Sequence, residues 1–114
     1  MSIANALIVT QDTTILTVPT DTSYAITTIL VCNTFMPAPG PVSDEGLATF
    51  DLHIAKNGQA IGDQNMVVNT LTLPPGETFT FDTEKIVLDA GDYVAISSSS
   101  PLGVLSATIS YLEV

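Results

Sequence analysis

Apolar and polar side chains alternate along residues 47–56, LATFDLHIAK. A period of two residues is typical of a β-strand that buries one face. We therefore predict a strand here that directs Phe50, Leu52 and Ile54 inward and Thr49, Asp51 and His53 toward solvent. Asn57-Gly58 follows at once, and this dipeptide favours a two-residue hairpin turn.

Further strand-forming segments lie on both sides of this stretch. Thr occurs sixteen times, and β-branched side chains suit a pleated sheet better than a helix. Short apolar or alternating segments predict strands at 6–9, 15–18, 24–34, 66–73, 78–81, 86–88, 93–97 and 104–114. Short strands separated by frequent turn residues indicate a sandwich or a small barrel. We predict an all-β fold, an antiparallel two-sheet β-sandwich of jelly-roll type with about eight or nine strands.

The segment 24–34 is apolar on both faces of its predicted strand. One face would carry Ile26, Leu30 and Cys32, and the other Ile29 and Val31. A strand that is apolar on both sides is expected to be covered on both sides. We therefore predict a central strand, and we expect Cys32 to be an inert thiol in the core.

The length of 114 residues is that of one domain, so a single sandwich is expected to span residues 1–114. Residues 1–10 are predicted to form an N-terminal arm or an edge strand. Both ends of the chain are apolar, and we expect them to pair with the sheet edge of a neighbouring molecule. The longest connection is 35–46, which is rich in proline; a loop of this length in a small domain is usually functional or disordered.

The charge of the chain excludes several partners. Twelve residues are acidic, two are lysine and none is arginine, which gives a net charge of −10. Such a chain repels nucleic-acid phosphates and anionic lipid, so we predict no nucleic-acid partner and no membrane partner. The first ten residues lack the positive charge of a secretion signal. The single cysteine permits no internal disulfide, which fits synthesis in a reducing cytoplasm.

Few residues are available for catalysis or for metal binding. His53 is the only histidine, whereas a cupin-type metal site needs several, and nucleophilic catalysis by Cys32 would need a base beside it. We predict no enzymatic activity and no cofactor, with a cupin-type enzyme as the least favoured hypothesis. Acidic residues near loops could bind Ca²⁺, but we expect solvated charges instead: Asp44, Glu45, Asp82, Glu84, Asp89 and Asp92.

Two segments, 73–79 and 86–94, share one design of an apolar residue, a turn with glycine, an acidic residue and a new strand. Together with the closing strand 107–114, this design resembles small virion structural proteins of tailed bacteriophages. The resemblance implies a head decoration (cement) protein or a tail or fibre component. It also implies location in the virion after synthesis in the host cytoplasm. The implied partners are the major capsid protein or other virion subunits. The resemblance also implies a homo-oligomer, with a trimer favoured.

Contact with partners is expected at apolar residues of the two ends and of the proline-rich loop. These residues are Ile3, Leu7, Phe35, Met36, Pro37, Pro39, Val42, Leu112 and Val114. The alternative is a receptor-binding or carbohydrate-binding module of a tail or fibre. The chain has no tryptophan, and its tyrosines, Tyr24, Tyr93 and Tyr111, are expected to be packed rather than offered to a sugar.

Overall fold

The structure is a computed structural model that describes residues 2–8, 13–35, 47–81, 86–98 and 105–114. In these ranges it contains nine strands and a short 3₁₀ helix, Asp63–Asn65. The strands are β1 (Ser2–Ile8), β2 (Thr13–Thr17), β3 (Tyr24–Asn33), β4 (Ala48–Ala55), β5 (Met66–Leu73), β6 (Thr78–Phe81), β7 (Ile86–Leu88), β8 (Tyr93–Ser98) and β9 (Leu105–Glu113). Each of the nine predicted strands is present, and three of them, β5, β6 and β7, begin and end at the predicted residues.

The strands form two antiparallel sheets. The first has the order β1-β9-β3-β6, and β7 pairs with the other end of β3; the second has the order β2-β8-β4-β5. Because β6 and β7 pair with successive parts of β3, they act as two halves of one edge strand. Counted in this way, the eight strands have the order of a jelly roll. The predicted fold class is confirmed.

The core lies between the two sheets. Its fully buried side chains come from both inner faces: Ile8, Ile29, Val31, Phe50, Leu52, Val94, Ile96, Leu105 and Ile109. The rings of Phe50 on β4 and Phe79 on β6 meet edge to face with centroids 5.4 Å apart, and so they join the sheets. Burial of each large apolar side chain stabilises the fold by about 1.5–3 kcal/mol. Phe50 and Leu52 are inward as predicted, and Ile54 packs against the margin of this core.

A tight turn at residues 74–77 carries the chain from β5 in the second sheet to β6 in the first. Gly76 has a φ of 79°, which suits the third position of a type II turn. The N–H of Gly76 donates to the carbonyl of Asn33 at 3.0 Å, and the N–H of Asn33 donates to the carbonyl of Glu77 at 3.0 Å. The turn is thus fixed to the end of β3.

Asn33 is the fully buried polar residue at this junction. Its side-chain Nδ2 donates to the carbonyl of Leu73 at 2.9 Å, and its Oδ1 accepts the N–H of Phe35 at 3.0 Å. A buried amide costs stability unless it is hydrogen-bonded, and here both ends of the amide are bonded. Asn33 therefore holds the ends of β3 and β5 together.

A second turn, at residues 89–92, repeats the same pattern where the chain returns from β7 to β8. Gly91 has a φ of 86°. The N–H of Gly91 donates to the carbonyl of Val18 at 2.9 Å, and the N–H of Val18 donates to the carbonyl of Asp92 at 2.9 Å. The shared design of the two sequence segments is therefore a shared means of crossing between sheets.

The interpretation of β3 was wrong on one face. The pairing of β3 with β9 shifts register between Ile26 and Thr28, so a β-bulge reverses the alternation. Leu30, expected on the same face as Ile26, lies on the outer face of the sheet and is 36% exposed. Cys32 lies on that outer face as well and is half-buried, so it is not a core thiol.

The predicted two-residue hairpin between β4 and β5 was also wrong. The two strands do pair, but residues 56–65 join them. Asn57-Gly58 does form a turn, in which Gly58 has a φ of 78° and the N–H of Gln59 donates to the carbonyl of Lys56. This turn begins a longer segment that folds back over the second sheet.

His53 points outward from the second sheet, as predicted, but it is only 4% exposed, so the expectation of a solvent-facing histidine was wrong. Its Nδ1 lies 2.9 Å from Oδ1 of Asn65. Nδ2 of Asn65 donates to the carbonyl of Ala60, which fixes the orientation of the amide. Since Oδ1 of Asn65 can only accept, Nδ1 of His53 carries the proton and donates it.

Candidate contact surface

The outer face of the first sheet is a broad surface assembled from five strands. Strand register places the outward side chains in rows, because partners in an antiparallel pair share a face. We call this surface the open face. It consists of Ile3, Asn5, Leu7, Ala25, Thr28, Leu30, Cys32, Thr78, Thr80, Val87, Ser106, Thr108, Ser110 and Leu112.

The open face has no charged residue, although the chain has a net charge of −10. The acidic residues that the structure describes lie on turns, on the second sheet, in the 3₁₀ helix or at the end of β9: Asp21, Asp51, Asp63, Glu77, Asp89, Asp92 and Glu113. A surface without charge costs little desolvation when a protein partner covers it, and depletion of charge is typical of interface centres.

Five large aliphatic side chains on the open face are exposed. Their exposed fractions are 64% for Ile3, 62% for Leu7, 55% for Val87, 39% for Leu112 and 36% for Leu30. Between them lie hydroxyl side chains of β9, β3 and β6. Because β6 and β7 form one row, the open face is four strands wide. Four strands about 4.8 Å apart and about 25 Å long give a flat area of roughly 500 Å². This area is near the roughly 600 Å² per partner of small specific interfaces.

The structure places the predicted contact residues in different environments. Ile3, Leu7 and Leu112 lie on the open face, and Val114 is the exposed last residue, with its N–H bonded to the carbonyl of Ser23 at 2.9 Å. Phe35 instead packs against the core. Met36, Pro37, Pro39 and Val42 lie outside the described residues.

The two ends of the chain differ in their availability for pairing. β1 is an edge strand of the first sheet, whereas β9 lies between β1 and β3. The expectation that the C-terminal strand would pair with a neighbouring sheet edge was therefore wrong for the part of β9 that β1 covers. β1 also buries Ile8 completely in the core, so it is part of the sandwich and not a loose arm.

Sequence reasoning missed Leu30 and Val87. Leu30 was assigned to the face of Ile26 because the bulge in β3 could not be recognised, although two consecutive β-branched polar residues, Thr27 and Thr28, lie at that point. Oγ1 of Thr27 donates to the carbonyl of Ser110 at 3.0 Å. Val87 lies in a short apolar segment, in which nothing in the sequence marks the middle residue as outward.

The outer face of the second sheet is different, and we call it the covered face. His53, Ala55 and Ala95 point outward there but are at most 4% exposed. The segment 56–65 covers them, held by the bond of His53 to Asn65 and by a hydrogen bond from the Tyr93 hydroxyl to the carbonyl of Gln59.

The acidic residues at 89–92 act within the fold. Both carboxylate oxygens of Asp92 accept backbone N–H groups, from Asn57 at 2.9 Å and from Asp89 at 2.9 Å. Oδ1 of Asp89 accepts the Ser23 hydroxyl at 3.2 Å. In the part of the chain that the structure describes, no three side chains of His, Cys, Asp or Glu are grouped so that they could hold a metal ion.

The tyrosines are engaged with their neighbours. The rings of Tyr24 and Tyr111 lie against each other with centroids 4.4 Å apart, and both pack at the margin of the core. Desolvation, followed by coulombic repulsion from Tyr111 and Glu113, raises the pKa of Tyr24 above its ordinary value, because each disfavours the charged phenolate.

Within the residues that the structure describes, no helix has the length and hydrophobicity needed to cross a membrane. No protein-family model matches this sequence, and no curated protein and no solved structure is significantly similar to it. The resemblance to virion structural proteins of tailed phages therefore stays a prediction that rests on the sequence segments alone.

Proposed function

We propose that this chain is a structural subunit that works by protein–protein contact in a larger assembly, as a decoration protein does on a phage head. The open face is the contact surface. The sandwich supplies a rigid body, and the crossover turns fix the relative position of its two sheets.

The absence of charge on the open face is the observation that carries this proposal. Twelve acidic residues against two lysines would be expected to leave carboxylates on any large surface of so small a domain. Instead, the fourteen outward positions are aliphatic, hydroxyl-bearing, amide or thiol side chains. Depletion of charged residues is the compositional feature that distinguishes the centre of a protein–protein interface from the rest of a protein surface.

The fold supports the proposal without deciding it. Jelly rolls serve as viral capsid domains, but they also serve as lectins and cupins. The interpretation as a carbohydrate-binding module receives less support, because Tyr24 and Tyr111 stack on each other and pack against the core. Cupin chemistry receives less support because the single histidine is buried beneath residues 56–65 and bonded to Asn65.

The test is to purify particles on a density gradient from cells that produce the protein and to count its copies per particle by quantitative mass spectrometry. We expect the chain to sediment with the particles at a fixed ratio to the major structural protein. A high copy number indicates a head or tail-tube position, and a low one indicates the tail tip or a fibre. Recovery of the chain only at the top of the gradient, as free protein, would contradict the proposal.

A further inference from the structure

The free edge of the first sheet lacks the features that normally prevent strand pairing. Within the described residues, β1 pairs with β9 on one side and with no strand on its other side. The pairing runs from Ser2 to Ile8 without a register shift, so the strand is continuous. Its sequence, SIANALI, contains no charge and no proline. An uninterrupted apolar edge is a template for a further strand.

The other edges each carry a protective feature. β2 has a register shift between Thr14 and Leu16, and β5 has two shifts opposite β4 and a positive φ of 51° at Thr70. The edge opposite β1 consists of two short strands, β6 and β7, of four and three residues. Bulges and short edge strands discourage pairing. Among the described edges, β1 alone is left open.

We propose that a second copy of this chain pairs its β1 with β1 in antiparallel orientation about a two-fold axis through Asn5, so that the two first sheets become one continuous sheet. Antiparallel pairing centred on Asn5 places Ile3 opposite Leu7 of the other copy and Leu7 opposite Ile3. The two most exposed side chains of the strand then cover each other, because both point to the open face.

Self-complementarity is what selects a second copy over another protein. In a two-fold contact each residue pair occurs twice, so a strand suits it only if positions at equal distance from its centre match. On either side of Asn5 the chain has Ala4 and Ala6, and then Ile3 and Leu7. The asparagine pair at the centre is opposed to itself, and amide side chains can both donate and accept.

Each copy of this chain has a net charge of −10. Two such molecules repel each other, so a self-contact must keep the carboxylates apart. β2, the edge strand of the second sheet that contacts β1, has the uncharged sequence TTILT. Within the described residues of this edge, neither β1 nor β2 therefore brings a carboxylate to the contact.

This inference rests on the proposed function only in taking the first sheet as the contact surface. It replaces the trimer implied by the phage resemblance with a two-fold pair, and it joins two open faces into one surface of twice the area. The self-contact can be tested with the purified chain, apart from any particle.

The first test is sedimentation equilibrium of the purified chain over a wide concentration range. We expect a monomer–dimer equilibrium in the wild type. Ile3→Lys with Leu7→Lys brings like charges together across the two-fold axis and should raise the dimer dissociation constant at least tenfold, as an order-of-magnitude estimate. Ile3→Lys with Leu7→Glu places opposite charges at the same positions and should restore the dimer. The control is Val87→Lys, a position that is also more than half exposed but lies at the opposite edge of the sheet, and it should leave the dimer unchanged.

The second test fixes the register by cross-linking, in a Cys32→Ser background. Directly opposed residues of antiparallel strands have Cα atoms about 4.5–5.5 Å apart, within disulfide range. Asn5→Cys should therefore form a covalent dimer on mild oxidation. Ile3→Cys should not do so alone, because its own copy lies about 13 Å away along the strand, but it should cross-link when mixed with Leu7→Cys.

A chain that stays monomeric at every concentration, or an Asn5→Cys variant that cross-links no better than Ile3→Cys alone, would overturn the self-pairing. A monomer that still sediments with particles would overturn this inference and leave the proposed function in place. A dimer that never sediments with particles would overturn the proposed function and leave the self-pairing in place.

Discussion

The open face and the covered face are built by the same alternation of residues but end in different environments. On the covered face, His53 and Ala95 point away from the core and are nonetheless buried, because residues 56–65 fold over them. On the open face, Leu30 and Val87 also point away from the core and remain exposed. The exposure of an outward side chain therefore depends on whether another segment of the chain covers that face of the sheet.

The two faces also handle polarity in opposite ways. The covered face buries His53, whose ring is hydrogen-bonded to Asn65, so this polar group is paired within the molecule. The open face keeps uncharged side chains on its surface, where a protein partner can cover them at little desolvation cost. We infer that one face is completed by the chain itself and that the other is completed by another molecule.

The largest expected effect on the free energy of unfolding distinguishes a leucine in the core from a leucine on the open face. Leu52→Asp places an unpaired charge in the core, where Leu52 is fully buried, and should lower the free energy of unfolding by about 4 kcal/mol or more. Leu30→Asp, on the open face, should cost about 2 kcal/mol or less, because the carboxylate there remains in contact with water. Urea unfolding followed by circular dichroism measures both. Equal losses would contradict the assignment of faces.

The next effect tests whether the covered face is truly covered. His53→Ala removes a buried ring and its bond to Asn65, and it should lower the free energy of unfolding by about 3 kcal/mol. Asn65→Ala should produce part of the same loss, so a double-mutant cycle should give a coupling energy of at least about 1 kcal/mol. The matched control is Thr108→Ala on the open face, with an expected loss below about 1 kcal/mol. Additive effects of the two substitutions would argue against the bond.

The two crossover turns allow a comparison of two glycines. Both glycines have positive φ. A Cβ on Gly91 would lie 2.3 Å from Cγ of Asn57, in the segment 56–65 that lies over the covered face. A Cβ on Gly76 would meet nothing within 4 Å. Gly76→Ala should therefore cost about 1 kcal/mol from backbone strain, and Gly91→Ala about 2 kcal/mol or more. Thermal unfolding measures the difference, and a larger loss at Gly76 would refute the packing at Asn57.

The smallest effect on stability concerns Cys32. Because its thiol is half-buried on the open face, Cys32→Ser should change the free energy of unfolding by less than about 1 kcal/mol. In the folded, isolated chain a maleimide should react with Cys32 without prior unfolding, and incorporation into an assembly should protect it. Reaction at the rate of global unfolding would instead place the thiol in the core.

The sequence was sufficient to predict the strands, but it was not sufficient to predict which segments cover their outer faces. Alternation at 47–56 correctly predicted that Phe50 and Leu52 face the core, since a period of two is a local property of a strand. It could not reveal that His53 is covered, because residues 56–65 reach it only through the tertiary bond to Asn65.

The open face could be predicted only in part. Ile3, Leu7 and Leu112 were expected to make contacts, since apolar residues near chain ends invite pairing. Leu30 was misplaced because the bulge at Thr27 depends on pairing with β9, a partner distant in the sequence. The absence of charge across the sheet is visible only once register brings five strands together.

The most direct test of the central claim compares lysine at two matched threonines and measures occupancy on purified particles. Thr108 lies at the centre of the open face and Thr49 on the outer side of β4, and both are half-buried. Thr108→Lys should reduce occupancy at least tenfold, as an order-of-magnitude estimate, while Thr49→Lys should bind as the wild type does. Loss of binding with Thr49→Lys and wild-type occupancy with Thr108→Lys would contradict the account.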